Sequence, residues 1–131
     1  MNAVKITLAG RERYLAFTGA AMFDLREKYG GAVQNLVDAI KPDTREALAA
    51  AAEAAAILAE QGELVRRYMG HTPADTVTPE AIAATVAPLE IAPLKMAVVS
   101  AIELGYGRAI RPENDEVDLG LAELQAQKKT S

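Results

Sequence analysis

Between Asp43 and Met69 the chain runs without a proline and with a single interior glycine, Gly62, through a stretch dominated by alanine and leucine. It reads as one long helix, because alanine carries the highest helix propensity and nothing in the run breaks the backbone ladder. At about 1.5 Å per residue such a helix is roughly 40 Å long, the full width of a small domain. Asp43 is placed to cap its start, Glu46 to complete a capping box three positions on, and Gly70 to supply a left-handed residue at its end. Glu46, Glu53, Glu60 and Arg67 recur at heptad spacing on one side, while Leu48, Ala51, Ala55, Leu58, Gly62, Val65 and Met69 trace the other. Small side chains let a neighbour approach the backbone closely but each buries little apolar area, so this helix needs partners along its length. Those partners are the rest of the core, another protein chain, or both at different points of the stripe.

The segments on either side supply candidates. Val4, Lys5, Ile6, Thr7 and Leu8 alternate apolar with polar, the mark of a half-buried strand, and a turn over Ala9 to Glu12 leads into a second strand from Arg13 to Phe17. A lone hairpin is marginal in water, so its apolar face of Val4, Ile6, Leu8, Leu15 and Phe17 must lie on helices or join another chain's sheet. Thr18 caps a helix ending at Tyr29 before Gly30 and Gly31, with Met22, Leu25 and Tyr29 on one face and an Asp24 to Lys28 pair on its surface. Val33, Leu36, Val37 and Ile40 make a second short helix, and Thr78 with Pro79 opens a third that Pro88 cuts short. From Pro93 the most apolar stretch of the chain, through Leu94, Val98, Ala101, Ile102 and Leu104, is the expected buried helix packed along the alanine stripe. The fold class is therefore mainly α, or α+β in strict terms: an N-terminal β-hairpin followed by about five helices. Residues 1–112 form a single helical domain, and residues 113–131 a polar, acidic C-terminal tail that is either disordered or folds on a partner.

A chain of 131 residues with no cysteine has neither a disulfide framework nor thiolate metal sites, which agrees with a reducing cytoplasm. No window approaches the roughly 20 apolar residues that a bilayer crossing requires, and no apolar signal core precedes Val4. With a net charge of −4 and basic residues scattered singly or in pairs, the stripe that would follow a nucleic-acid backbone is missing. The expectation is no membrane and no nucleic acid.

Catalytic and metal patterns fail one at a time. His71 is the only histidine, with no second ligand or triad partner marked out around it, so a structural or neutral role is expected. Setting Gly120 at the turn of a calcium loop puts Val117 and Leu119 where oxygen ligands belong. Gly105, Tyr106 and Gly107 follow a helix and not a strand, and read as a helix stop, not a phosphate cradle. Asp115, Glu116 and Asp118 read as a solvated acidic turn. No enzyme, cofactor or metal is expected. Val117, Leu119, Leu121 and Leu124, by contrast, are unusually apolar for a chain end, and Val117, Leu121 and Leu124 fall at amphipathic helix spacing. They are the partner-binding candidates, together with the hairpin edge as a surface for self-association by strand addition.

Three stretches taken together, VKITLAGRERYLAFTGAAMFDLREKYGG, AIELGYG and DEVDLGLAELQAQKK, resemble the tail assembly chaperones of long-tailed bacteriophages, prophages and gene transfer agents. The resemblance covers most of the chain, although the alanine-rich helix is not among that family's signatures. It implies a mainly helical, cytoplasmic protein that coats the tape measure protein, keeps it soluble, recruits tail tube subunits around it and is not retained in the mature virion. It also implies a longer product made by ribosomal slippage near the end of the frame, for which Lys128 and Lys129 are suggestive. Other readings are a different virion component, such as a head-tail connector or minor tail protein, and a cellular helical adaptor or regulator unrelated to phage.

Overall fold

A computed structural model describes residues 2–108 and 116–119. The N-terminal alternation forms β1 (Asn2–Leu8), and the chain returns as β2 (Arg11–Leu15). They pair antiparallel with Val4 opposite Leu15, Ile6 opposite Arg13 and Leu8 opposite Arg11. The second strand starts two residues earlier than its sequence suggested, because the turn consumes only Ala9 and Gly10. Both carry positive φ, 51° and 81°, in the mirror-image turn whose twist matches that of the strands it joins.

Five helices follow among the described residues up to 108: α1 (Gly19–Lys28), α2 (Val33–Ile40), α3 (Arg45–Tyr68), α4 (Pro79–Thr85) and α5 (Ile91–Gly105), the last preceded by a 3-10 turn at Pro88–Glu90. Thr18 and Thr78 cap α1 and α4 as the sequence indicated, accepting from the amides of Ala21 and Ala81. The long helix is capped by Thr44, which accepts from the Ala47 amide at 3.1 Å, and not by Asp43. That shift moves Glu46 to the second helical position, where it meets the positive end of the helix dipole but closes no capping box. At the other end Gly70 adopts φ 91°, so that its amide reaches the Arg67 carbonyl and the His71 amide the Arg66 carbonyl, satisfying two orphan acceptors of the last turn. Lys28 pairs across helices with Glu53 of α3 at 3.6 Å, in place of the local partner Asp24.

α3 is the axis of the fold. It touches α1, α2, α4, α5 and β2, and between Ala51 and Ala59 every residue except Glu53 and Ile57 is buried. The division into a wet and a packed side holds only toward its ends, since at mid-length neighbours press in from all directions and alanine is what lets them. α5 lies against both α3 and β1, with Leu94, Ala97, Val98, Ser100, Ala101 and Ile102 buried. Val4, Leu8, Leu15 and Phe17 join this main core, with Ile6 packed on its margin.

Beyond residue 108 the described chain resumes as β3 (Glu116–Asp118), antiparallel to β1 on the side away from β2, with Val117 opposite Ala3, and the sheet order is β2-β1-β3. The helical reading of Val117, Leu121 and Leu124 is corrected at its first residue: Val117 sits in a strand that ends at Asp118, and Leu119 directly after it is helical. Leu121 and Leu124 lie outside the described residues.

Candidate functional site

Of the two described candidates for partner binding, Val117 is held on the chain's own sheet and Leu119 directly follows it. Val117 is half-buried, and Leu119 is buried in a small cluster with Ala3 and Ala16, bordered by Tyr14 and Val65. This second cluster lies on the face of β1 opposite the main core, which is why Ala3 and Val4 are both buried although they point in opposite directions. The Leu119 carbonyl accepts from Nε2 of His71 at 3.1 Å, so the lone histidine ties the segment after α3 to the segment after β3.

A second constellation was not marked out from the sequence. Beside β2, the end of α3 and the residues before α4 enclose a cleft of about 260 Å³ lined by Arg11, Arg13, Glu63, Arg66 and Asp75, among others. Arg13 is buried because it stands on β2 in phase with Leu15, on the face that continues into the core. Its guanidinium is satisfied by carbonyls, donating from Nε to Leu8 at 3.1 Å and from Nη1 to Asp75 at 2.9 Å. Arg11 donates to the same Asp75 carbonyl at 2.8 Å and pairs with the Asp75 carboxylate. Burial and the neighbouring Arg11 charge lower the Arg13 pKa, against the pull of Asp75 and Glu63.

Glu63 is the counterpart on the helix. Burial pushes its carboxyl up, but the Ala74 amide at 2.8 Å, Arg67 at 2.9 Å and Arg66 hold it below the ordinary value. The same arginines donate onward, Arg66 to the Thr72 carbonyl and Arg67 to that of Ala74. The result is a clasp: Glu63, Arg66 and Arg67 grip residues 72–74 from the helix, and Arg11 and Arg13 grip residue 75 from the sheet. Each of these charges is spent on the clasp itself. The Glu63 carboxylate, held low by three donors, is a poor base, and no group of three or more potential metal ligands exists among the described residues. The period-two alternation held the clue to Arg13, since extending the Leu15 and Phe17 face backward lands on it. Nothing in the sequence pointed to Asp75, because its partners come from a strand 62 and 64 positions away.

Several apolar side chains face outward, notably Tyr68 and Leu89, at 89% and 93% exposure, and Phe23 on α1. Leu64 lies one turn before Tyr68 on the outer side of α3, giving that helix end a small exposed apolar strip. No described helix is long and apolar enough to cross a membrane.

The fold and these surfaces define a mainly α protein with a small three-stranded antiparallel sheet. No family model matches the chain, and neither a curated protein nor a solved structure matches it.

Proposed function

We propose that the protein is a non-catalytic phage or prophage tail assembly chaperone, which binds the tape measure protein in the host cytoplasm, keeps it soluble and recruits tail tube subunits. The supporting observation is where the three stretches that carry the resemblance come together. The hairpin leads through Phe17 into α1; the end of α5 rests on Phe17, with the Phe17 and Tyr106 rings 5.1 Å apart; and the closing stretch returns to β1 as β3. A Cβ built on Gly105 would meet the Phe17 side chain at 2.4 Å, so only glycine lets these two stretches touch. Distant parts of the sequence thus contribute to one unit of structure, as they would if the resemblance reflects a shared architecture.

Tape measure proteins are long helical chains, and apolar strips such as Leu64 and Tyr68 are suited to covering helical surface. Val117 and Leu119 contribute to that contact when β3 leaves the sheet, with Leu121 and Leu124 following in sequence. Co-expression with the long coiled-coil-rich protein of the adjacent gene, followed by affinity capture, tests the proposal. Capture of that protein, soluble only when this chain is present, is the expected result. An equally soluble and uncaptured neighbour would remove the role.

A further inference from the structure

The clasp uses two arms of the Arg13 guanidinium and leaves the third. A buried charge is ordinarily matched by an opposite charge that hydrogen-bonds to it, yet Arg13, more than nine-tenths buried, bonds to carbonyl oxygens, from Nε to Leu8 and from Nη1 to Asp75. The Asp75 carboxylate stands 3.7 Å from Nη1, beyond hydrogen-bond reach. Among the described residues no partner meets Nη2 and no fully buried side-chain nitrogen goes unpartnered, so this third arm opens on the cleft that Arg13 lines. The charges around it leave the cation short of compensation: burial and the neighbouring Arg11 lower the Arg13 pKa by more than Asp75 and Glu63 raise it.

Arg11 stands two residues earlier on β2, in phase with Arg13, and both reach residue 75. The Asp75 carboxylate pairs with Arg11, but the Asp75 side chain is 72% exposed and that of Arg11 43%, so this is a surface ion pair, weak and readily exchanged. Asp75 is gripped through its carbonyl, and its carboxylate can swing into water without opening the clasp. Glu63, the inner carboxylate, is taken up by Arg66, Arg67 and the Ala74 amide. Ala59, Ala74 and Val77 add apolar wall to the cleft of about 260 Å³.

We propose that this cleft is a binding site for a carboxylate, which takes the place of the Asp75 side chain between Arg11 and Arg13 and rests its apolar body on Ala59, Ala74 and Val77. Asp75 is a tethered stand-in for that ligand: it shows that the seat accepts a carboxylate, and from its place on the strap it bonds to Arg11 and falls short of Arg13. An untethered carboxylate reaches both, and gives the buried cation the counter-charge that the fold does not. A dianion such as phosphate fits less well, because Glu12, Glu63 and Asp75 all line the cleft. A small organic acid and a glutamate side chain of another protein share the chemistry required. The site goes beyond the helix-covering role proposed above, and it stands or fails separately from it.

The test titrates the full chain at low salt with butyrate, its neutral isostere butyramide, inorganic phosphate and the peptide acetyl-Gly-Ala-Glu-Ala-Gly-amide, following the Arg11 and Arg13 Nε–H signals by NMR. Saturable shifts with a midpoint of about 10 mM or below are expected for butyrate or the peptide and none for butyramide, and the tighter of the two tells a free acid from a protein side chain. Asp75→Asn empties the seat and keeps the carbonyl grip, so it is expected to tighten binding at least about fivefold, and Arg11→Gln to weaken it as much. Both positions are exposed, and circular dichroism should stay that of the parent. Asp24→Asn makes the same charge change at an exposed position on α1 and is expected to leave the affinity unchanged. No saturation by about 50 mM butyrate or peptide overturns the proposal. So do equal binding of butyramide, tighter binding of phosphate, or an equal gain from Asp24→Asn, which would report net charge and not a seat.

Discussion

The two edges of this small sheet are finished in opposite ways. On the β2 side α3 itself closes the edge: the Ala16 amide donates to the Leu58 carbonyl at 3.1 Å, and the Tyr14 carbonyl lies directly over Gly62. On the β1 side the described pairing is a short strand drawn from the far end of the chain, Glu116–Asp118 against Asn2 to Val4. A helix can seal an edge only where its surface is as bare as a backbone, and α3 is bare at that point. The contrast is between an edge sealed by the central helix and one paired with a short strand that packs on a small cluster of its own.

The largest effect is expected where α3 meets β2. A Cβ at Gly62 would sit 1.7 Å from the Tyr14 carbonyl oxygen and 2.7 Å from its carbon, and both are backbone atoms that cannot swing aside. Gly62→Ala gains about 1 kcal/mol of helix propensity, yet it is expected to destabilise the protein by about 3 kcal/mol or more in urea unfolding, because strand and helix must separate. A neutral outcome would show that α3 does not close this edge.

One residue further along, Glu63 locks the same edge through its grip on residues 72–74. Glu63→Gln keeps the shape but replaces charge-assisted bonds with neutral ones, at an expected cost of about 2 kcal/mol at neutral pH. The sign of the pH dependence follows from its depressed folded pKa. The contribution is complete above the ordinary value of 4.5 and disappears as pH falls through the lower folded value, so stability declines in acid below about 4.5. In the glutamine variant this part of the decline should be absent, and parallel acid titrations of parent and variant would sink the assignment.

Leu119→Ala addresses the other edge, and there the effect is expected to be local. Leu→Ala in a well-anchored core costs about 2–5 kcal/mol, but Leu119 belongs to a small separate cluster, and β3 can detach without opening the main core. The loss in global stability should therefore stay near 1 kcal/mol, while exchange of the Ala3 amide quickens at least about tenfold. A global loss as large as that of Gly62→Ala would mean that the two edges are equally permanent.

Much of this arrangement was written locally. Hairpin alternation, threonine caps, glycine stops and the unbroken alanine run each act within a few residues, and the hairpin and the five helices formed within a few residues of their signals. The differences arose where two local signals competed or where the partner was distant. Asp43 and Thr44 are both good caps, and the folded helix uses the second. The small-residue stripe with Gly62 announced a close approach, but one-dimensional periodicity cannot say that the visitor is a strand and not a helix. Arg13 had the phase of a core residue and the chemistry of a surface one, and the conflict is resolved only by the carbonyls of Leu8 and Asp75. For Val117 the short-range pattern with Leu121 and Leu124 allowed a helical stripe, and pairing with the opposite end of the chain made a strand.

The smallest effect is expected at the turn that sets β1's phase, and it runs the other way. Ala9 adopts φ 51°, a left-handed conformation in which an alanine Cβ crowds the following carbonyl, and this costs about 1 kcal/mol. Asparagine tolerates that region and is favoured ahead of glycine in the same two-residue turn, so Ala9→Asn should stabilise the protein by about 0.5–1 kcal/mol in urea unfolding. The turn fixes which residues of β1 direct their backbone groups away from β2, and Ala3, which meets Val117 of β3, is one of them. A firmer turn is therefore expected to leave the Ala3 amide at least as well protected from exchange as in the parent. Greater stability with faster Ala3 exchange would mean that the outward residues had been assigned to the wrong phase.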